Sequence, residues 1–255
     1  MNTPNTPTRV VWRELMTDDL ERAKGFYGEL FGWVFKEMPM GPNMPPYTIA
    51  NVGDKGIGGL MTKPDGNMPT FWLSYVGVPS ADEALAKANA GGATTIFGPM
   101  EIPGVGKMAG FMDSDHAVIA MLQPDGPDQP HSMPQQGEFC WETLMSSDPD
   151  RARALYGEVF GWTSQPGPSG NGDTVFGVGP KPEDMVADLQ QAQGGMPPCW
   201  MTYVVVDEIE GARARAERLG GRVVVPLIEI PNVGRIALIA DPTGGHLGIF
   251  QSAMR

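Results

Sequence analysis

The sequence predicts an α+β protein of four βαβββ units that form two similar modules. The stretch "VVWRELMTDDLERAKGFYGELFGW", starting at Val10, returns as "FCWETLMSSDPDRARALYGEVFGW", starting at Phe139. A proline-rich stretch, "QPDGPDQPHSMPQQG", separates the two copies and has the composition of a linker. We therefore expect an N-terminal module at 8–124, a linker at 125–136 and a C-terminal module at 137–252. All six tryptophans fall into pairs 128 or 129 positions apart: Trp12 with Trp141, Trp33 with Trp162, and Trp72 with Trp200.

The elements of the N-terminal module can be read in order from its residue pattern. "VVWRELMT" alternates like a strand, and the Asp18-Asp19 pair offers an N-cap for the helix in "LERAKGFYGELFGW", which Gly32 ends. Turn-rich segments then separate strands predicted near 33–38, 46–52 and 57–62. The second half repeats the order: the strand "TFWLSYVGV", the helix "SADEALAKANAGG", and strands near 93–99, 107–113 and 117–123. The C-terminal module follows the same plan, with "DPDRARALYGEVFGW" and "DEIEGARARAERLGG" as its helices.

Composition excludes several classes of function. Only 18 Lys and Arg residues stand against 30 Asp and Glu in 255 residues, a net charge of -12, so binding to nucleic acid is not expected. No apolar run is long enough to span a bilayer, and the first ten residues lack the features of a signal peptide. We predict a cytoplasmic protein that binds neither membrane nor nucleic acid. The two cysteines, Cys140 and Cys199, are expected to be free thiols.

These features resemble the glyoxalase/bleomycin-resistance/extradiol-dioxygenase superfamily, also called vicinal oxygen chelate proteins, and within it the tandem two-module proteins. The resemblance rests on the D-x-x-x-A pattern that ends in F-G-W at Asp19–Trp33 and Asp148–Trp162, on the opening "WRELMTDD", and on "DPTGGHLGIFQ" near the C-terminus. It implies that each module curls an eight-stranded mixed sheet around a cavity, with the helices outside. It leaves open whether a cavity forms within one module or between modules, and whether the protein is a monomer with an intramolecular pseudo-dimer or a homodimer.

Metal-using members of this superfamily carry their ligands at four strand positions. The resemblance transfers the first-strand and fifth-strand histidines to Trp12 or Trp141 and to Leu73 or Met201, and the eighth-strand carboxylate to Ala120 or Gly248. The fourth-strand position falls near Leu60 in one module and near Asp188 or Leu189 in the other. Neither set contains three suitable donors, so we predict no metal and no other cofactor.

Strand alternation identifies the side chains expected to face the cavities. The first strand directs Trp12 and Glu14 inward, whereas Trp72 and Trp200 on the fifth strands should lie under the helices. The pockets are mostly apolar with few polar anchors, which is typical of sites for small organic molecules. We predict Glu14 and His246 as catalytic candidates, and these ligand-binding residues: Trp12, Leu73, Tyr75, Ala120, Trp141, Thr143, Met201, Tyr203 and Gly248.

Glu14 is the most informative of these residues, because a buried carboxylate is costly unless a Tyr hydroxyl, an Arg or a ligand pairs with it. Burial should also raise its pKa, which suits a general acid or base. Trp12 and Trp141 either fill the space left by a lost metal or stack on a planar ligand. The sequence favours a binding protein for a small hydrophobic or aromatic molecule. The alternatives are a metal-independent lyase, isomerase or hydroxylase-like enzyme that uses Glu14, Tyr75 or His246 on a carbonyl compound, and an interaction protein with vestigial pockets.

Overall fold

The structure is a computed structural model that describes residues 8–40, 45–127, 132–167, 174–193 and 195–253. The linker residue His131 lies outside the described residues. The N-terminal elements are β1 Val10–Thr17, α1 Leu20–Phe31, β2 Val34–Met38, β3 Tyr47–Val52, β4 Lys55–Thr62, β5 Phe71–Gly77, α2 Ala81–Ala90, β6 Thr94–Ile102, β7 Gly106–Met112 and β8 Val118–Pro124. The C-terminal elements are β9 Phe139–Ser146, α3 Pro149–Phe160, β10 Thr163–Pro166, β11 Thr174–Gly177, β12 Met185–Gln191, β13 Cys199–Val205, α4 Ile209–Arg218, β14 Arg222–Ile230, β15 Gly234–Ala240 and β16 His246–Ser252, with a short 3-10 helix at Pro182–Asp184.

The strands form two mixed sheets of eight strands each. The strand order is β2-β3-β4-β1-β5-β8-β7-β6 in the first sheet and β10-β11-β12-β9-β13-β16-β15-β14 in the second. The two orders are identical when the second is renumbered from its own first strand. The predicted α+β class with four βαβββ units is confirmed.

The first helix of each module begins and ends by the same chemistry. The Asp19 carboxylate accepts a hydrogen bond from the Arg22 backbone N–H at 3.0 Å, and Asp148 does the same for Arg151 at 3.1 Å. Gly32 and Gly161 end α1 and α3 in the left-handed region, with φ of 76° and 68°, where a Cβ would be strained. Asp19, from the pair expected to cap α1, and Gly32, expected to end it, are therefore the residues used.

Contacts between residues divide the chain into two compact units that do not follow the sequence modules. Unit 1 comprises Met1–Val11, Ser74–Ser132 and Glu142–Trp200, and unit 2 comprises Trp12–Leu73, Met133–Trp141 and Met201–Arg255, as far as these ranges are described. Each unit thus combines half of one module with half of the other. Each has its own hydrophobic core, which includes α2 and α3 residues in unit 1 and α1 and α4 residues in unit 2.

A buried chain of hydrogen bonds lies in the core of each unit. In unit 2, which holds the Tyr27 network, Trp72 Nε1 donates to Tyr27 Oη at 3.0 Å, and Tyr27 Oη donates to Asp241 at 2.6 Å. Burial, and then the Asp241 carboxylate, raise the pKa of Tyr27 well above its ordinary value, so the phenol keeps its proton. The helix-facing position predicted for Trp72 is confirmed.

The Tyr156 network in unit 1 has the same form. Trp200 Nε1 donates to Tyr156 Oη at 3.0 Å, and Tyr156 Oη donates to Asp113 at 2.8 Å. Both tyrosines have no exposed surface. Each network takes its Tyr and Trp from one module and its Asp from the other, which explains how the units come to cross the module boundary. Among the described residues, no helix has both the length and the apolar character needed to cross a membrane.

Candidate functional site

The register of β1 against β4 fixes which residues share the face of the sheet away from the helices. Glu14 lies opposite Gly59, whereas Leu15 lies opposite Leu60. Leu15 and Leu60 are both fully buried in the helix-side core of unit 2. The fourth-strand position, which the resemblance put near Leu60, corresponds to Gly59 on the Glu14 face, because side chains alternate along a strand.

Glu14 belongs to a hydrogen-bonded group that we call the Tyr47 network, formed by Trp12, Glu14 and Tyr47. Trp12 Nε1 donates to Tyr47 Oη at 2.9 Å, and Tyr47 Oη donates to Glu14 Oε1 at 2.6 Å. Glu14 is 6% exposed, while Trp12 and Tyr47 are half-buried. Of the partners expected for Glu14, which were a Tyr hydroxyl, an Arg or a ligand, the structure shows the hydroxyl of Tyr47, a residue that the sequence had not singled out.

Tyr47 fits into this position because Gly59 has no side chain. A Cβ on Gly59 would lie 1.8 Å from Tyr47 Oη, well inside van der Waals contact. The sequence did contain a signal for Tyr47: of the five tyrosines it is the one without a counterpart in the other module. Burial, and then the Glu14 carboxylate, raise the pKa of Tyr47 well above its ordinary value. The phenol therefore keeps its proton and donates a hydrogen bond to Glu14 across the physiological pH range.

The C-terminal module uses different side chains at the same place in its sheet. Thr143 lies opposite Asp188 across β9 and β12, as Glu14 lies opposite Gly59. Thr143 Oγ1 donates to Asp188 Oδ1 at 2.5 Å, and Gln190 Nε2 donates to Asp188 Oδ2 at 2.5 Å. We call these three residues the Asp188 cluster. The sequence left either Asp188 or Leu189 near the fourth-strand position. Asp188 lies on the same sheet face as Thr143, whereas Leu189 is buried in the helix-side core of unit 1.

The remaining predicted residues divide between the units. Unit 2 contains Leu73, Trp141, Met201, Tyr203 and Gly248, in addition to Trp12 and Glu14. There the Tyr203 ring lies against Gly248, where an added Cβ would be 2.1 Å from Tyr203 Cδ1. Unit 1 contains Tyr75, Ala120 and Thr143. Tyr75 lies opposite Ala120 in the register between β5 and β8, which matches that of Tyr203 and Gly248.

His246 is exposed at the start of β16. It has the strand parity of Gly248, as predicted, whereas Leu247 and Ile249 are buried in the helix-side core of unit 2. Partial burial of the ring, and then the positive charge of Arg222, lower the pKa of His246, while Asp241 acts in the opposite direction. The imidazole is therefore neutral at neutral pH and can act as a hydrogen-bond acceptor or base.

The residues at the ligand positions of metal-using relatives do not fit a divalent cation. The resemblance gives Trp12, Leu73 and Ala120 for one module and Trp141, Met201 and Gly248 for the other, and the strand register adds Gly59 and Asp188. Only Asp188 has an oxygen donor, and tyrosine rings occupy the space beside Gly59 and Gly248. Within the described ranges, no group of three or more His, Cys, Asp or Glu side chains is arranged to hold a metal ion.

A surface cleft of about 190 Å³ lies elsewhere in unit 1, at the N-terminal end of α3. None of its lining residues was predicted as a site residue. They are Asp113, Ser114, Asp115, Ser146, Ser147, Asp148, Arg151, Ala152 and Leu155. Ser146 Oγ donates to Asp115 at 2.9 Å, and Ser147 also donates to this carboxylate, so the polar groups of the cleft bond to one another.

Comparison with known proteins gives one family match and several relatives that align over almost the whole chain. Residues 9–45 match the family described as bleomycin resistance protein-like N-terminal. The putative glyoxylase CFP32 of Mycobacterium bovis is 27% identical over 245 residues, covering 95% of this chain and 94% of that protein. The anthracycline biosynthesis protein DnrV of Streptomyces peucetius is 26% identical over 262 residues, covering 96% of this chain and 94% of that protein.

The fold is also similar to that of solved structures. The Mn(II)-bound glyoxalase from Novosphingobium aromaticivorans superimposes with a TM-score of 0.62 at 12% identity, covering 96% of this chain and 82% of that one. At this identity the likeness concerns the fold, and the metal of that protein is not transferred to this chain. With the two repeated modules and the match over β1 and α1, these similarities confirm the resemblance found in the sequence to the glyoxalase/bleomycin-resistance/extradiol-dioxygenase superfamily.

Proposed function

We propose that this protein binds a small hydrophobic or aromatic molecule at the Tyr47 network, without a metal ion. The observation that carries the proposal is the hydrogen-bonded series Trp12 Nε1 to Tyr47 Oη to Glu14 Oε1 on the sheet face away from the helices. Its indole and phenol are half-buried, so part of their aromatic surface can contact a planar ligand.

The donor chemistry of the site supports binding without metal. By the resemblance, Trp12 corresponds to the first-strand histidine of metal-using members, and Gly59, opposite Glu14, corresponds to their fourth-strand position. An indole N–H is only a donor and cannot coordinate a cation through its lone pair. The same groups suit an organic ligand, because a rigid aromatic surface provides contact area and a fixed carboxylate provides orientation.

The relatives support the aromatic character of the ligand. DnrV is named as an anthracycline biosynthesis protein, and the match at residues 9–45 is to a bleomycin resistance-like family. These names place planar aromatic and antibiotic-like compounds first among the ligands to test. The cytoplasmic location, the oligomeric state and the roles of Leu73, Tyr75, Ala120, Trp141, Met201, Tyr203 and Gly248 stay predictions from the sequence.

Quenching of tryptophan fluorescence by an anthracycline aglycone tests this proposal. We expect saturable quenching in the wild type, and Trp12→Phe should remove most of it and weaken binding about tenfold, because stacking and one donor are lost together. Trp141→Phe is the matched control at the repeat position and should leave the affinity within about twofold. Equal losses in the two variants, or no binding to the wild type, would contradict a site at the Tyr47 network.

A second candidate function is acid/base catalysis without a metal, and the Glu14–Tyr47 contact favours it. A carboxylate 2.6 Å from a phenol can take a proton from a substrate while the phenol holds the carboxylate in place. Glu14→Gln separates the two functions, because glutamine keeps an acceptor for Tyr47 and removes the charge. Turnover of a carbonyl substrate that is lost with affinity unchanged would support a lyase or isomerase, whereas a change in affinity alone supports binding.

A further inference from the structure

Arg222 and His246 lie on the same face of the second sheet, on either side of Ala240. The strand register places Arg222 of β14 opposite Ala240 of β15, and Ala240 opposite His246 of β16. Paired residues of neighbouring strands project from the same face of a sheet. This face is the one away from the helices, because the adjacent residues Ile239 and Leu247 are buried in the helix-side core of unit 2.

The N-terminal module has an uncharged row at the same place in its sheet. There Thr94 of β6 lies opposite Met112 of β7, and Met112 lies opposite Val118 of β8. The three strands therefore pair without a charged side chain in this row, so the sheet itself requires neither Arg222 nor His246. The internal repeat acts as a control, and it indicates that this pair has a role other than forming the fold.

Both side chains are exposed and able to meet a bound molecule. Within the part of the chain that the structure describes, neither the Arg222 guanidinium nor the His246 ring has a hydrogen-bond or ion-pair partner. Partial burial, and then the charge of Arg222, lower the pKa of His246, so the guanidinium lies near enough to act on the ring. The pair thus supplies several hydrogen-bond donors and one positive charge, without an acceptor for them.

Asp241 is the acid whose charge also acts on His246, but its carboxylate is engaged elsewhere. Tyr27 donates to one carboxylate oxygen at 2.6 Å, and the backbone N–H groups of Thr243 and Gly245 donate to the other at 2.6 and 3.1 Å. Asp241 is 5% exposed, so it belongs to the core of unit 2 and leaves the charge of the exposed guanidinium unpaired.

Apolar side chains continue this sheet face beyond the pair. Ile228 lies opposite Ile236, and Ile236 lies opposite Phe250. Ile228 is 44% exposed, and the other two are partly exposed. Phe250 follows His246 by four positions on β16, which corresponds to about 13 Å along a strand. A molecule bound by its charged end at His246 could therefore cover these apolar side chains with a body of about two rings.

We propose that Arg222 and His246 form a second binding site, which takes an aromatic carboxylic acid through its carboxylate. The planar guanidinium matches a carboxylate with two parallel N–H donors, and the neutral imidazole adds one N–H. One positive charge also matches a singly charged anion. The site differs in kind from the Tyr47 network, because it binds its ligand by charge where Trp12 and Tyr47 provide aromatic surface.

Two probes with the same ring system and opposite charge test this site: biphenyl-4-carboxylate and biphenyl-4-ylmethylamine. The net charge of the chain is -12, so non-specific attraction favours the amine, and preference for the acid requires a local cation. The chain has three histidines, so NMR can follow their ring signals, and His246→Gln assigns the one needed. The acid should shift the His246 signal in a saturable way, bind there about tenfold more tightly than the amine, and leave His116 unmoved. An unmoved His246 signal, or an amine that binds there as tightly as the acid, would overturn the proposal.

Two matched variants assign the charge. Arg222→Gln removes the charge and keeps an amide donor, and it should weaken binding of the acid at the His246 signal about tenfold. Arg218→Gln makes the same change on the exposed side of α4 and should leave that binding within about twofold. Equal losses in the two variants would show a general effect of charge and contradict a site at Arg222. Because aglycone quenching reports on Trp12 and these signals report on His246, failure of this proposal is distinguishable from failure of the proposed function.

Discussion

The same chain of hydrogen bonds, from an indole through a phenol to a carboxylate, occurs in two kinds of place in this protein. The Tyr27 and Tyr156 networks occupy repeat-related positions in the two cores, and their tyrosines have no exposed surface. The Tyr47 network lies on the opposite sheet face, its indole and phenol are half-buried, and the other module has no tyrosine at the corresponding position. Identical chemistry is thus structural where it is repeated and enclosed. Where it is single and accessible, we assign it to function.

The largest effect is expected from removing a core phenol. Tyr156→Phe leaves the Trp200 N–H without its acceptor and Asp113 without its Tyr donor, in a region closed to water. We expect a loss of about 3 kcal/mol in the free energy of unfolding, measured by urea denaturation. Ligand affinity of the folded protein should stay unchanged. A loss no larger than that of Tyr47→Phe would remove the distinction between the two kinds of network.

A somewhat smaller effect is expected from adding a side chain beside Tyr47. Gly59→Ala places a methyl group 1.8 Å from Tyr47 Oη, and overpacking of this kind costs about 2 kcal/mol. Tyr47→Ala should relieve that cost, so the double variant should be more stable than the sum of the single variants predicts. Additive free energies in this double-mutant cycle would show that Tyr47 moves away without cost.

Removal of the accessible phenol should affect binding more than stability. Tyr47→Phe breaks both bonds of its network; water can reach the half-buried Trp12 but not the buried Glu14, so the cost in unfolding free energy should be about 1 kcal/mol. Affinity for the aromatic probe should fall about tenfold, because Trp12 and Glu14 are no longer held in place. Unchanged affinity in a fluorescence titration would assign the Tyr47 network to structure.

The smallest effect is expected at His246, which is exposed. Because the pKa of His246 is lower in the folded protein than its ordinary 6.5, the unfolded chain binds its proton more tightly. The neutral His246 ring therefore contributes to the stability of the folded protein above pH 6.5, and this contribution is lost as the pH falls towards the pKa of the folded state. His246→Gln should slightly reduce the drop in melting temperature between pH 7.5 and pH 5. A steeper drop in the variant would contradict the direction of the shift.

The sequence predicts most of the fold because its signals are local or repeated. Asp19 and Gly32 mark the ends of α1, and the paired tryptophans identify the duplication. Alternation along β1 correctly places Glu14 on the face away from the helices, and alternation along β5 correctly places Trp72 on the face under the helices. The site is less predictable, because it depends on the register between β1 and β4, and a shift of one residue exchanges Leu60 for Gly59.

Tyr47 illustrates a second limit of reading the sequence. Its bond to Glu14 joins residues 33 positions apart on different strands, and periodicity contains no information about such a contact. The exchange of partners between modules is equally hidden: nothing near Tyr27 indicates that its acceptor is Asp241. Comparison of the two modules residue by residue would have pointed to both Tyr47 and Asp188, because each lacks a like residue at the repeat position.

The exchanged core partners also bear on how the chain is made. Tyr27 leaves the ribosome 214 residues before Asp241, the acid to which it will donate. Unit 2 is therefore incomplete until synthesis is nearly finished, and unit 1 is incomplete until Trp200 has emerged. Most domains fold in order as they appear, but here the first half of the nascent chain must wait with apolar surface exposed. Because each unit needs residues from both modules, we expect neither unit to fold before both modules have been synthesised. We therefore expect the chain to depend on chaperones during translation.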